Sequence, residues 1–174
     1  DVRVLIGFTA GGTTDVIARI IGQELAERWG RAIVIDNRPG AGGNIATDMV
    51  AKAKPDGYTL MIGSVGPLAV NATLYKDLPY DNLKDLTPIT LVAHTPNMLV
   101  VNAKGSPTST LKEFIDYTKA RPGKLSYGSV GNGTSFHLGM EQLKKLTGTF
   151  IVHIRGPGLR VEMCSDRSGA TDID

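Results

Sequence analysis

Apolar residues arrive along this chain in short blocks, separated by polar and glycine-rich segments. VRVLIGF, residues 2–8, is an uninterrupted run of the kind a strand buried on both faces needs. It ends in TAGGTTD, and the period then changes to that of a helix. Ile17, Ile21, Leu25 and Trp29 recur every four residues, with Val16 and Ile20 beside them. Thr13 or Thr14 can cap that helix, Asp15 suits its positive end, and Gly30 stops it. RAIVIDN, residues 31–37, predicts a second strand and runs into the loop RPGAGGN. A shorter helix over about 44–52, a PDG turn and a third strand, YTLMIGS at 58–64, follow. Two apolar runs, PITLVA at 88–93 and NMLVVN at 97–102, lie so close together that they predict a crossover between domains rather than a tight hairpin.

The rhythm then repeats. Ser109 or Thr110 starts a helix to about Ala120, with Leu111, Phe114, Ile115 and Thr118 on one side. LSYGS, residues 125–129, is a strand; GNGTS is a loop; residues 136–146 form a helix; and TFIVHI, residues 149–154, is a further strand. Strands alternating with helices predict parallel sheets in an α/β architecture, where the loops at the carboxyl ends of strands gather along one edge and bind ligands. The last segment, RGPGLRVEMCSDRSGATDID, carries neither period and is expected to be irregular.

Composition narrows the function more than the fold. The 174 residues are 41% hydrophobic and 21% charged, enough for one sizeable core or two small ones. A net charge of +2 with scattered Lys and Arg gives no nucleic-acid footprint. No run is long and apolar enough to cross a bilayer. The single Cys164 excludes an internal disulfide and a multi-cysteine zinc site, and no His or carboxylate spacing suggests a metal or cofactor. The chain begins at Asp1, which fits a leader already removed.

Four loops share one chemistry: TAGGTTD, RPGAGGN, GSVGPLAVN and GSVGNGTS. The tetrapeptide GSVG thus occurs twice, at 63–66 and at 128–131, each time between an apolar run and a helix start. First-turn amides lack internal partners and the helix dipole is positive there, so glycines and hydroxyls at such ends make an anion site without Lys or Arg. The same composition also serves an ordinary βα turn, and it is the recurrence in four loops that favours anion binding. Enzyme signatures fail. There is no G-x-G-x-x-G, no Gly-Lys-Ser/Thr, and Ile62 and Tyr127 stand where a nucleophile elbow at Ser64 or Ser129 needs glycine. His94 and His153 read as structural. His137, one turn into its helix, either reaches a bound carboxylate or packs. Asp15 either serves the helix start or accepts from a ligand amine, hydroxyl or water.

Together VRVLIGFTAGGTTDVIARIIGQELAERWG, VIDNRPGAGGNIA, KAKPDGYTLMIGSVG, NATLYKDLPYDNLKDLTPITLVA and PGKLSYGSVGNGTSFHL closely resemble the periplasmic receptors of tripartite tricarboxylate transporters, the Bug type. The resemblance covers residues 2 to about 154 or 158, and F-x-x-G-G-x-x-D with N-x-P-G-A-G-G and P-D-G-Y-T-L is its specific combination. It implies a type II periplasmic-binding-protein-like α/β fold of two lobes with mainly parallel sheets, 1–96 and 97–158, and a ligand cleft between them. By position it assigns ligand binding to Phe8, Thr9, Ala10, Gly11, Gly12, Thr13, Thr14 and Asp15, and to Ser64, Val65 and Gly66. On the second lobe it assigns Ser129, Asn132, Gly133, Thr134, Ser135 and His137. The implied partners are a small organic acid (a di- or tricarboxylate, amino acid or aromatic acid) and membrane transporter subunits. The implied place is the periplasm, and the implied protein is no enzyme.

After VHI the sequence leaves the family pattern, so residues 159–174 are expected to be a divergent tail and the second lobe incomplete, as a truncated or frameshifted frame would leave it. Uncovered sheet edges would then favour self-association. Two rival readings stay open: an enzyme acting on a phosphorylated or acyl substrate at the Gly-rich edge, and a remnant that binds nothing.

Overall fold

The computed structural model describes residues 1–102, 107–155 and 163–166. The chain divides between Thr95 and Pro96 into two compact units.

In the first unit, β1 (Val2–Ile6) is the middle strand of three, with β2 (Ile33–Asn37) and β3 (Thr59–Met61) parallel on either side. Its apolar run is continuous because both faces are covered. Val4 and Ile6 pack on Ala18 of α1 (Thr13–Trp29), with Ile33, Ile35 and Leu60 around them, and Leu5 is fully buried as well. Helix α1 meets the sheet through its small residues. Asp15, Ala18 and Gly22 are its buried positions, and a Cβ on Gly22 would lie 3.2 Å from the Ile35 side chain. The expected stripe is therefore kept only in part: Ile17, Ile21 and Leu25 are half-buried, whereas Val16, Ile20 and Trp29 stand exposed, Ile20 by 61%. Bulk predicts the apolar side of a helix, whereas close approach to a sheet selects the side without bulk.

Helix α2 (Asn44–Ala51) follows a 3₁₀ turn at Ala41–Gly43. After β3, a π-helical turn, Gly66–Val70, runs directly into α3 (Asn71–Leu74). Residues 88–102 form neither helix nor strand, and Ile89, Leu91 and Met98 along them are more than 70% exposed.

The second unit has α4 (Leu111–Lys119), β4 (Leu125–Ser129), α5 (Ser135–Thr147) and β5 (Val152–Arg155), with β4 and β5 parallel. Phe114, Leu125, Tyr127, Met140 and Ile151 are its core. Strand β6 (Met163–Asp166) pairs antiparallel on the other side of β4. That corrects the expectation of an irregular tail over those four residues. The backbone of β4 offers an unfilled ladder, and such an edge recruits chain whose side-chain pattern announces no strand. The rest of 159–174 lies outside the described residues.

Candidate functional site

Both helix-start loops are built from the sequence outward, and each is taken on its own unit. At the carboxyl end of β1 the chain turns at Gly7, and Arg38 N donates to Ile6 O while Asn37 Nδ2 donates to Phe8 O at 3.1 Å. Phe8 turns its ring toward the Val4–Ile6–Ala18 cluster. Thr9, Ala10, Gly11 and Thr13 are exposed, Thr14 is half-buried, and Gly12 and Asp15 are buried. The helix cap is Gly12, without a side-chain bond, so neither Thr13 nor Thr14 caps it. Both lie inside the first turn, where helix geometry supplies their amides with no acceptor.

Asp15 does what a cap would. Its Oδ2 accepts from Gly11 N at 2.8 Å and from Arg19 Nε at 2.9 Å. The Arg19 hydrogen bond, then the Gly11 amide, hold the carboxyl at about 2 against an ordinary 3.8, although burial opposes the charge. A depressed carboxylate value means stability that is complete above the unfolded value and lost as pH falls through the folded one. The Asp15 contribution, at most about 2 kcal/mol, should therefore be present near neutrality and fade between about pH 4 and pH 2. Urea melts of the parent and Asp15→Asn should differ at about pH 6 and converge near pH 2. A gap that persists unchanged into acid would refute this role.

Ser64, Val65 and Gly66 follow β3, which is parallel to β1, so they reach the same sheet edge as residues 8–15. Ser64 is half-buried with its carbonyl accepting from Leu68 N, Val65 is exposed, and Gly66 is buried. The packing that unites these loops runs through glycine. A Cβ on Gly7 would sit 2.7 Å from Gly43 Cα, and one on Gly43 would sit 2.9 Å from Pro67 Cγ. The RPGAGGN loop enters this stack with four successive positive φ values, 134°, 48°, 65° and 95° at residues 40–43, which explains its glycines. Beneath it Asn44 Oδ1 accepts from Asn71 Nδ2 at 2.5 Å. The Tyr80 hydroxyl lies 2.8 Å from Pro67 O and 3.0 Å from Asn44 Oδ1, and its one proton serves either. Asn37, Asn44, Asn71 and Tyr80 were not singled out in the sequence, since each is tied to the loops by distant pairing rather than by local spacing.

On the second unit, Ser129, at 4% exposure, anchors the loop. Its Oγ accepts from Gly131 N at 3.2 Å and lies 2.7 Å from His153 Nε2. Thr134 Oγ1 donates to Gly131 O at 2.7 Å and caps α5 by accepting from His137 N. Gly133 N donates to His137 Nδ1 at 3.3 Å. Asn132 is exposed, Gly133 is buried, and Ser135, half-buried, donates to Asn97 Oδ1 at 3.2 Å. Residues 129–137 thus form one internally tied loop and helix start.

Four side chains support it. The His153 ring stacks on Tyr127 at 4.8 Å and meets His137 at 4.6 Å. The Tyr127 hydroxyl donates to Glu141 Oε1 at 2.7 Å, and Lys144 Nζ reaches the same oxygen at 2.7 Å. Burial works against the Glu141 charge, but Lys144 and Tyr127 outweigh it and hold the carboxyl below its ordinary range. Burial first, and Glu141 second, push the Tyr127 phenol up, so it remains a donor. His153, read from the sequence as structural, is packed here against Tyr127 and Ser129. Its neighbour Tyr127 is set by strand register across 26 positions, Tyr127 opposite His153, which no local pattern reveals. An apolar hollow of about 300 Å³, lined by Met98, Leu99, Leu111, Phe136, Met140 and Leu143 among others, also lies on this unit. It borders that loop and helix start through Gly128 and Phe136, and its lining is mostly apolar, so a carboxylate would find little there to bind.

Two α/β units, each ending a parallel strand pair in an uncharged Gly/Ser/Thr loop and a helix start, define a periplasmic-binding-type fold. More particularly, the chain belongs to the tripartite tricarboxylate transporter family receptors, whose model matches residues 17–167. A UPF0065 protein of Bordetella pertussis is 42% identical over 153 residues, 88% of this chain and 47% of that protein. An R. palustris protein solved with adipate superposes with a TM-score of 0.88 at 39% identity, covering 95% of this chain and 58% of that one. MatC from Rhodopseudomonas palustris, with bound malate, gives 0.81 at 33% identity, covering 90% and 53%. The chain spans about half the length of the curated relatives it matches.

Proposed function

We propose that this chain is the ligand-binding part of a periplasmic receptor that takes up a small organic carboxylate in an interdomain cleft and delivers it to a tripartite transporter. The observation that carries the reading is the pair of helix starts, at Gly12–Thr13 and Thr134–Ser135, in loops that bear hydroxyls and amides but no Lys or Arg. Such ends attract a carboxylate through unpartnered first-turn amides and the helix dipole. On this reading Thr13, Thr14, Asn132 and Ser135 supply the direct donors. Gly11 and Gly133 contribute shape, because their amides are already donated to Asp15 and His137. Ser64 to Gly66 close the first unit's share of the site. Malate and adipate, held by two related proteins, head the ligand classes to be tried.

Calorimetric titration of the chain with adipate, malate, a tricarboxylate, an amino acid and an aromatic acid tests the proposal, with adipamide as the neutral control. Saturable heat is expected from at least one acid and none from the amide. Silence from every acid, in a preparation that melts cooperatively, would overturn it. A preparation with no cooperative melt would favour the remnant instead.

A further inference from the structure

Three helices in the described residues begin with the same device. In α1 the third helical residue, Asp15, reaches back to the amide before the cap, Gly11 N. In α4 the third residue, Glu113, does so to Ser109 N at 2.8 Å, while Thr110 caps the helix. In α5 the third residue is His137, and it takes the amide of Gly133. Two of these latches are made by carboxylates, which keep an acceptor oxygen in either protonation state. The third is made by imidazole, the side chain whose charge changes near neutral pH.

The chemistry of the third latch is therefore conditional. Gly133 N–H is a donor, so His137 Nδ1 must hold a lone pair, which fixes the neutral ring with its proton on Nε2. Protonation places a hydrogen on Nδ1 facing the Gly133 N–H, and two donors cannot share one bond. We propose that His137 is a positioning residue that holds the 129–134 loop by a proton-sensitive latch, released on acidification, whereas the Asp15 latch on the first unit stays closed. This holds whether or not the loop binds a carboxylate, and it would make any ligand contact carried by Asn132 and Ser135 dependent on pH.

The groups facing His137 set the balance. From β5 the His153 ring lies 4.6 Å away, with its Nε2 engaged by Ser129 Oγ. From β4 comes the Tyr127 hydroxyl, a donor to Glu141. On its own helix Glu141 stands one turn ahead, the one acid of the group, and it is already shared by Lys144 and Tyr127. Ser135 and Asn97 bond each other at the loop's outer side. The cluster thus holds one carboxylate, which Lys144 and Tyr127 already engage and which also faces His137, against two imidazoles.

The test is amide exchange followed by NMR on the full chain, corrected for the intrinsic pH dependence of exchange, together with the ring shifts of His137 in the same samples. Between pH 8 and pH 5, the Gly133 protection factor should fall roughly tenfold, the change expected for one hydrogen bond of ordinary net strength. The fall should track His137 titration, with Gly11 protection constant as the internal reference. His137→Asp, which installs the α1 arrangement in α5, should abolish the dependence and keep Gly133 protected across the range. Gly133 protection that stays level while the His137 ring titrates would overturn the proposal. So would an identical pH dependence in His137→Asp. Should that variant fail to melt cooperatively, the parent alone decides, through Gly133 against Gly11.

Discussion

Gly7→Ala should cost the first unit about 3 kcal/mol, the upper end of what overpacking a close contact costs. The Cβ would stand 2.7 Å from Gly43 Cα and 3.1 Å from Gly43 O, and both are backbone atoms, with no rotamer to move aside. Gly43 cannot retreat either, because Pro67 lies behind it. Relief therefore requires the RPGAGGN loop to leave the sheet edge, which also disturbs the loops on either side of it. Trp29, the single tryptophan, ends α1 and reports this unit by fluorescence. Its melting midpoint should drop by roughly 10–20 °C. Gly11→Ala is the matched control. Its Cβ would meet nothing within 4 Å, so only the positive φ of 82° is strained, at about 1 kcal/mol. A Gly7→Ala protein that melts no lower than Gly11→Ala would contradict the stacked-loop account.

Tyr127→Ala should be the most damaging single change in the second unit, by about 3–5 kcal/mol. The ring is 1% exposed and central to the cluster of Phe114, Leu125, Met140 and Ile151, so truncation leaves a cavity in a core with few other large side chains. It also removes the platform under His153 and the donor to Glu141. Tyr127→Phe separates these effects. It keeps the packing and the stack and loses only the hydroxyl, about 1 kcal/mol. Exchange protection of α5 amides should collapse in the first variant and survive in the second. If both behave alike, the hydroxyl, and not the ring, organises this unit.

The parts of the fold that could be read from the sequence are those set by neighbours in the chain. VRVLIGF declares a buried strand by itself, and Thr110 with Glu113 declares a helix start. The Gly/Ser loops could be read as well, because composition alone marks a backbone meant to be approached closely. What escaped was set by distant partners. The seat of α1 on its sheet depends on Gly22 meeting Ile33 and Ile35, a contact that bulk along the helix does not announce. Strand β6 exists through β4, not through its own pattern. His153 gains its place beside Ser129 and Tyr127 from register alone. The spacing of Asp15 and Gly11 was visible, but only the geometry shows that the carboxylate and the amide satisfy each other.

Amide-resolved NMR titration with adipate tests the central claim most directly. The account predicts saturable shifts at Thr13 and Thr14 and at Asn132 and Ser135, sharing one dissociation constant. Saturable binding with shifts confined to the apolar hollow of Met98, Phe136 and Leu143, and those four amides unmoved, would contradict it.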